Sequence, residues 1–334
     1  MAIDRRLFLK GTAGLTTAGA LIGSPMIHRR AHAEDTEFTG TIKAGHLVGI
    51  CMSPVFMADA AGFFKEEGLK VDLTWMPNPG DSVAALTSGA VQFIHNPFTT
   101  TYVAVSKGSP LKIISGSGAG GLVVIAQKDT GLKSMADLKS KVGKGFKVGS
   151  QRTNTLELTF YRNLTNAGMK YSDFDMVYFS DHFSMAAAFE TKAIDLVTHV
   201  EPYSTKLVDK FGGVPLATNI DAWGENAPDC VVSVRQDFLD AYPGTVKKYL
   251  NAILKADKLI KSDMLEAAKI LDKGKYYKVD FETLKAALPR QKPQVDLVAA
   301  AKGMDIAIGD MVTLGYLKKA PENVTDFTIL KTVV

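Results

Sequence analysis

Residues 41–75 have the sequence TIKAGHLVGICMSPVFMADAAGFFKEEGLKVDLTW, which carries the strongest architectural signal in the chain. Apolar and polar residues alternate over 41–46 and 71–75, which predicts two strands, whereas 55–63 has the period of a helix. Gly68 is placed to end that helix in the left-handed conformation. The order strand, helix, strand predicts an α/β protein.

Two units with this alternation follow each other along the chain. The predicted strands cover residues 41–46, 71–75, 91–95, 111–115, 122–127, 146–149, 175–178, 194–198 and 228–234. The predicted helices cover residues 55–63, 82–89, 153–167, 184–191, 203–211, 246–262, 265–271, 281–288 and 295–313. Because the strands at 122–127 and 228–234 cross between the units, we predict a two-lobed clamp with a cleft and a helical C-terminal part. The expected lobes are 34–127 plus 229–334, and 128–228.

The N-terminus predicts export. Arg5 and Arg6 precede Phe8-Leu9-Lys10, a mildly apolar run follows over 11–27, and residues 31–33 form a small-residue Ala-His-Ala exit. This pattern indicates a twin-arginine signal over residues 1–33 and a periplasmic protein. The alternative is a short amphipathic helix of the folded protein.

Composition excludes several partners. The chain has 334 residues and a formal charge of +4, but basic and acidic residues balance once residues 1–33 are removed. No basic field then remains for nucleic acid or an anionic membrane. A chain of this length usually exceeds one hydrophobic core, so two domains are expected.

The chain has two cysteines, Cys51 and Cys230. An oxidising compartment would permit a disulfide between them, but their spacing does not require one. We predict buried free thiols instead.

Four segments carry a family resemblance: PVFMADAAGFFKEEGLKV at 54–71, LKSMADLK at 132–139, AIDLV at 193–197 leading to Glu201-Pro202-Tyr203, and CVVSVRQDFL at 230–239. Together they resemble the periplasmic solute-binding proteins of ABC importers for nitrate, sulfonates, taurine and pyrimidines, a family that also contains thiamine-pyrimidine synthases. The resemblance spans roughly residues 40 to 320. It implies a type II periplasmic-binding fold with two hinge strands, and a ligand held between the lobes.

Candidate binding residues follow from the rule that ligands of open α/β sheets lie beyond the carboxyl ends of the strands. The loops selected by this rule contain His46, Cys51, Met52, Ser53, His95, Asn96, Phe98, Thr99, Arg152, Thr153, Asn154, Thr155, His182, His199 and Glu201. We assign no catalytic residue, no metal ligand and no cofactor.

The histidines leave three interpretations open. All four that follow the signal lie at predicted strand ends, where they could donate hydrogen bonds to an anionic or heterocyclic ligand. Together with Cys51, Met52 and Glu201 they could instead bind a soft metal or a metal chelate. Ordinary loop histidines are the third interpretation.

Two charged residues bear on the ligand. The planar guanidinium of Arg152 is suited to clamp a sulfonate or carboxylate. Glu201 could accept hydrogen bonds from an amino-pyrimidine, or could simply be a carboxylate at a helix N-terminus.

The sequence therefore predicts the binding component of an ABC importer for a small polar or anionic organic solute of the sulfonate, nitrate or taurine type. Alternatives are a binder of a pyrimidine-type heterocycle or metal chelate, or a pyrimidine synthase-like enzyme. We expect no enzyme, because no nucleophile elbow or metalloprotease motif occurs in the sequence. The expected partners are a small ligand, a permease and an ATPase, with no nucleic acid, and the expected state is a monomer.

Overall fold

The computed structural model describes residues 36–297 and 301–334. The signal predicted for residues 1–33 lies outside this range. Among the described residues, no helix combines the length and the apolar character that crossing a membrane requires.

Strands and helices alternate over most of the described chain. The strands are β1 Ile42–His46, β2 Val71–Trp75, β3 Phe93–Pro97, β4 Leu111–Gly120, β5 Leu122–Ala126, β6 Lys147–Ser150, β7 Asp175–Tyr178, β8 Leu196–Val200, β9 Val214–Thr218, β10 Pro228–Arg235 and β11 Gln291–Pro293. The helices are α1 Ser53–Ala60, α2 Phe63–Glu66, α3 Pro79–Ser88, α4 Phe98–Ser106, α5 Thr155–Asn166, α6 His182–Glu190, α7 Tyr203–Phe211, α8 Asn219–Trp223, α9 Gln236–Ala241, α10 Pro243–Ser262, α11 Met264–Lys273, α12 Phe281–Ala287 and α13 Ala301–Thr313.

Two sheets organise these elements. The first sheet has the order β11-β4-β10-β3-β1-β2, with β1 parallel to β2 and β3 and with β10 antiparallel to β3 and β4. The second sheet has the order β7-β6-β8-β5-β9, with β6 parallel to β7 and β8 and with β5 antiparallel to β8 and β9. Each sheet thus receives one crossing strand, antiparallel beside its third parallel strand. The predicted α/β class and the two crossing strands are confirmed.

Each sheet has its own apolar core. Phe56, Phe93 and Tyr249 are fully buried in the core of the first sheet, and Phe160 and Phe189 lie in those of the second. A fully buried large side chain contributes roughly 1.5–3 kcal/mol through removal from water. These cores hold the strand ends, and therefore the loops that follow them, in fixed positions.

The C-terminal part connects the two sheets. Helix α13 packs against α5 and α8. Arg162 on α5 forms an ion pair with Asp310 on α13. The hydroxyl of Tyr316 donates to Glu157 Oε1 at 2.7 Å. On the other side, the backbone nitrogen of Ile113 on β4 donates to the carbonyl of Val324 at 2.9 Å, so the C-terminal part contacts both sheets.

The structure corrects several element boundaries. The helix predicted over 55–63 ends at Ala60, and Gly62, with φ +77°, separates it from α2. Strand β4 continues to Gly120 because its glycine-rich end pairs with β10 and β11. Helices α4, α8 and α9 and strands β9 and β11 were not predicted. Most of them are short, and periodicity is weakest in short elements.

Candidate functional site

A small central cavity lies between the two sheets. It has a volume of about 10 Å³, which is room for roughly one water molecule or ion. Its polar lining comprises Cys51, Asn154, Thr155, His182, Asp229 and Cys230. These residues come from the loop after β1, from the ends of helices on the second sheet, and from crossing strand β10.

Asp229 is the centre of a hydrogen-bond network in this cavity. The Oγ1 of Thr155 donates to its Oδ1 at 2.8 Å, and the Nε2 of Gln291 donates to its Oδ2 at 2.7 Å. The Oε1 of Gln291 also accepts from the backbone nitrogen of Cys51 at 2.9 Å. Burial raises the pKa of Asp229, and these neutral donors only partly oppose the rise.

Cys51 and Cys230 lie beside Asp229. Both are buried, as predicted, and the two sulfur atoms and a carboxylate oxygen of Asp229 lie within 4.8 Å of one another. Burial raises the pKa of Cys51 to about 12 and that of Cys230 well above its usual range. The thiols are therefore protonated at neutral pH in the protein as described.

His182 lines the central cavity, and His199 lies behind it. His199 Nδ1 accepts from the backbone nitrogen of Val200 at 2.9 Å, so its Nε2 carries the proton that it donates to the carbonyl of His182 at 3.0 Å. The Nδ1 of His182 is buried and has no hydrogen-bond partner. Burial lowers the pKa of His182 to about 3. His182 is therefore a neutral imidazole with an unused nitrogen.

A much larger cavity lies where the chain passes from β4 to β5, and we call it the hinge-side cavity. Its volume is about 710 Å³, within the range typical of small-molecule sites. Strands β4 and β11 line it from the first sheet, and β5 and β9 line it from the second. Its side chains include Val123, Glu201, Ser204, Val208, Pro215, Ile220, Lys261, Arg290, Lys292 and Pro293.

Polar groups converge at one part of this cavity. Glu201 is fully buried, and its Oε2 accepts from the backbone nitrogen of Thr205 at 3.0 Å. The Oε1 of Glu201 and the Oγ of Ser204 form no hydrogen bond of regular geometry. The Nη1 of Arg290 donates to Thr205 Oγ1 at 2.9 Å and lies 4.0 Å from Glu201 Oε1. Burial raises the pKa of Glu201, and the hydrogen bonds and the guanidinium partly oppose the rise.

The predicted candidate residues fall into separate environments. Of the fifteen, those that line the central cavity are Cys51, Met52, Asn154, Thr155 and His182, whereas Glu201 lines the hinge-side cavity. His199 contacts His182 from behind. The others lie in the interior or near the surface, apart from both cavities.

His95 is a core residue. Its Nε2 lies 2.8 Å from the hydroxyl of Tyr249, and its Nδ1 lies 3.0 Å from Ser117 Oγ. The Ser117 hydroxyl then donates to the carbonyl of Cys51 at 2.6 Å. Burial lowers the pKa of His95 to about 3, so this histidine positions the Cys51 loop as a neutral link.

Four neighbouring candidates are also internal. Phe98 belongs to a hydrophobic core, and Asn96 donates to Thr100 Oγ1 at 2.7 Å. Ser53 and Thr99 are fully buried, and their hydroxyl oxygens have no partner.

Arg152, the predicted anion clamp, lines neither cavity. Its exposed guanidinium lies over the ring of Tyr178, 5.1 Å from the ring centre. The neighbouring Thr153 has φ +59°, and its backbone nitrogen donates to Glu157 Oε2 at 2.7 Å. The local conformation therefore turns this loop towards Glu157. His46 lies apart as well, in a surface pocket beside Trp75.

Sequence analysis missed Asp229, Ser204, Arg290 and Gln291, and did not place Cys230 in a site. The sequence contained a usable signal for Asp229 and Cys230, because they lie on a predicted strand that crosses between the two units and must border the cleft. Arg290 and Gln291 had none. They lie in a short irregular segment that reaches the cavities only through the pairing of β11 with β4.

Comparison with known proteins identifies the family. The putative binding protein YtlA of Bacillus subtilis (strain 168) is 24% identical over 251 residues, which cover 73% of this chain and 73% of that protein. The periplasmic nitrate-binding protein NrtA of Synechocystis PCC 6803 has a TM-score of 0.79 at 19% identity, over 90% of this chain and 89% of that one. The ligand-binding component of an ABC-type import system of Staphylococcus aureus, with zinc bound, has a TM-score of 0.77 at 19% identity, over 88% and 99%.

These structural likenesses establish the fold. The two-lobed periplasmic-binding arrangement implied by the four sequence segments is confirmed. A family model described as the NMT1-like family matches residues 36–272. The chain therefore belongs to the NMT1-like family.

Proposed function

We propose that this protein is the substrate-binding component of an ABC importer and that it captures a small polar or anionic organic solute between its two sheets. The single observation that carries this proposal is the hinge-side cavity, with its apolar walls and its few converging polar groups. Such a combination is typical of sites that orient a small molecule.

The chemistry of this cavity supports an acidic head group, as in a sulfonate, nitrate or a taurine-like molecule. Arg290 and Lys292 supply positive charge at its lining, whereas Lys261 is paired with Asp257 at 2.7 Å. Glu225 and Asp296 supply negative charge at other positions along the chain. The guanidinium of Arg290 is half exposed, so a solute can reach it. Ser204 supplies a hydroxyl donor, and a protonated Glu201 carboxyl would supply a second one. In this proposal Arg290 takes the role that the sequence suggested for Arg152.

The importer role implies further properties. The two lobes, 34–127 plus 229–334 and 128–228, would close on the solute, since a solute that contacts both lobes favours the closed state. The protein would be exported through the twin-arginine route, act in the periplasm as a monomer, and deliver the solute to a permease driven by an ATPase. It would bind the solute and not transform it.

A thermal-shift and titration panel tests the proposal. The protein is unfolded and refolded to remove carried-over ligand, then mixed with sulfonates, taurine, nitrate, carboxylates and pyrimidines. At a hundredfold excess over the Kd, a bound solute adds about 2.7 kcal/mol of stability, which is a shift of several degrees in Tm. We expect such a shift with one acidic class.

Arg290→Gln and Arg152→Gln form a matched pair for locating the site. Loss of a charged hydrogen bond costs about 1.5–3 kcal/mol, so we expect Arg290→Gln to weaken binding about 10- to 100-fold. Arg152→Gln should leave the Kd unchanged. The reverse pattern would show that the solute does not bind in the hinge-side cavity. If none of the solutes shifted the Tm, the importer role would be contradicted.

A further inference from the structure

The cluster of Cys51, Asp229 and Cys230 has no role in the solute site proposed above. Its two sulfur atoms and one carboxylate oxygen come from two segments far apart in sequence, yet all lie within 4.8 Å of one another. All three side chains are nearly inaccessible to solvent. Thiolate sulfur and carboxylate oxygen are the donors that proteins use to bind zinc and similar ions.

Neighbouring residues hold these donors in place. Thr155 and Gln291 each donate a hydrogen bond to one oxygen of Asp229, at 2.8 and 2.7 Å. Gln291 also fixes the backbone of Cys51 at 2.9 Å. Hydrogen bonds of this kind orient ligand side chains in metal sites. The donors are thus positioned by contacts formed within the fold.

An imidazole lines the same cavity, outside the group of three donors. His182 is 6% exposed, and its Nδ1 atom has no hydrogen-bond partner among the described residues. A buried imidazole nitrogen without a partner is costly, because it loses its hydrogen bond to water. The cavity volume of about 10 Å³ suits a single ion and excludes an organic solute of the size that fits the hinge-side cavity.

We propose that Cys51, Asp229 and Cys230 bind one thiophilic metal ion of the Zn²⁺ class in the central cavity. Two sulfur atoms and one oxygen supply three of the four ligands that zinc prefers, and the fourth position is left open, as in zinc sites that keep a water ligand. All three ligands lie on or beside the first sheet.

Protonation of the donors is consistent with this role. Burial raises the pKa of Asp229 and of both thiols, so the cluster without an ion holds protons. A metal ion takes the place of these protons when it binds.

Titration of the reduced protein with Cd²⁺ under anaerobic conditions tests the site. Cadmium bound to thiolates gives a charge-transfer absorption band in the ultraviolet, which reports ligation directly and is independent of any solute. We expect one Cd²⁺ per chain and displacement of the Cd²⁺ by Zn²⁺. Because the chain has only two cysteines, Cys51→Ser and Cys230→Ser should each reduce the band strongly.

Graded variants keep the test decisive if a cysteine variant misfolds. Thr155→Val removes one orienting hydrogen bond and should weaken Cd²⁺ binding about 10-fold, within the usual range for such a loss. Asp229→Asn removes a ligand and should weaken Cd²⁺ binding by more. Asp129→Asn, an exposed acid paired with Lys192, is the control and should bind as the wild type does.

Three results would overturn the metal site. One is the absence of a charge-transfer band on addition of Cd²⁺, in protein whose two thiols are shown to be reduced. Another is a charge-transfer band whose Kd for Cd²⁺ is unchanged in Asp229→Asn. The third is a pair of thiols that stays oxidised as a disulfide under reductant. None of these results affects the solute panel, so each proposal can fail without the other.

Discussion

The two cavities between the sheets differ about seventyfold in volume, although strand β5 lines both of them. The hinge-side cavity of about 710 Å³ is bordered by Gly120, Gly121 and several prolines and valines. The central cavity of about 10 Å³ is bordered by side chains that reach across from both sheets and bond to one another. The polar residues around Asp229 fill the space between the sheets at the central cavity.

This difference separates two kinds of chemistry. Apolar walls with a half-exposed guanidinium suit an organic solute. Thiols, a carboxyl group and an imidazole packed around a space of atomic size suit an ion. The chemistry of each cavity can therefore be changed by a substitution that leaves the other cavity intact.

Gly118→Ala should have the largest effect. An added Cβ would lie 2.5 Å from the Cα of Cys51 and 2.8 Å from its Cβ, so the loop carrying Cys51 must move. Overpacking of this kind costs about 3 kcal/mol, and we expect the central cavity alone to lose its geometry. Urea unfolding measures the loss.

Gly309→Ala is the matched control for this substitution. Gly309 lies in α13, and nothing lies within 4 Å of an added Cβ. Alanine in a helix should raise stability by about 0.5–1 kcal/mol. An equal effect of both substitutions would contradict the close packing of Cys51 on β4.

His182 should make the metal-free protein sensitive to acid. Its pKa is lowered by burial from 6.5 to about 3, so below pH 6.5 the unfolded chain binds a proton that the folded chain does not. Stability is therefore lost as the pH falls, by about 2 kcal/mol between pH 6.5 and pH 5. His182→Asn should remove its own share of this loss in urea unfolding at the two pH values, whereas the share of His95, whose pKa burial also lowers to about 3, should remain. Arg290→Gln, at the other cavity, should keep the wild-type slope, and an unchanged slope in His182→Asn would show that His182 is not buried and neutral.

The two buried carboxyls should act in the opposite direction. Burial raises the pKa of Asp229 and Glu201 above their usual values of 3.8 and 4.5, so the folded chain holds each proton more tightly than the unfolded chain. The contribution of each carboxyl group to stability is then greatest at low pH and is lost as the pH rises through its raised pKa. Because Arg290 faces Glu201 whereas the partners of Asp229 are neutral, Asp229→Asn should flatten the pH profile of stability more than Glu201→Gln. Equal pH profiles of stability in the two variants would contradict the expected difference between Asp229 and Glu201.

Ser204→Ala should have the smallest effect on stability. Its hydroxyl forms no regular hydrogen bond, so we expect a change within about 0.5 kcal/mol. Ser117→Ala is the comparison at the central cavity, because Ser117 donates to the Cys51 carbonyl at 2.6 Å and faces His95. Loss of that buried link should cost about 1–2 kcal/mol. Thermal unfolding compares the two, and a larger loss in Ser204→Ala would contradict the description of the hinge-side cavity.

Much of the fold was accessible from sequence periodicity. The predicted strand at 71–75 and the helix at 203–211 have the observed bounds, because the apolar residues there recur with the period of a strand and of a helix. The helix split at Gly62 and the short strand β11 were not accessible. The first depends on one local conformation, and the second on pairing with a strand 170 residues earlier in the chain.

The candidate site divides in the same way. The sequence determined that loops after β1, β6, β7 and β8 would carry polar residues, and Cys51, Thr155, His182 and Glu201 do line the two cavities. It also determined the α/β class, because periodicity is a local property. Only the tertiary structure decided that His95 lies in the core, that Arg152 lies outside both cavities, and that Asp229 and Cys230 meet Cys51. These outcomes depend on the packing of segments that are distant in sequence, which no local pattern records.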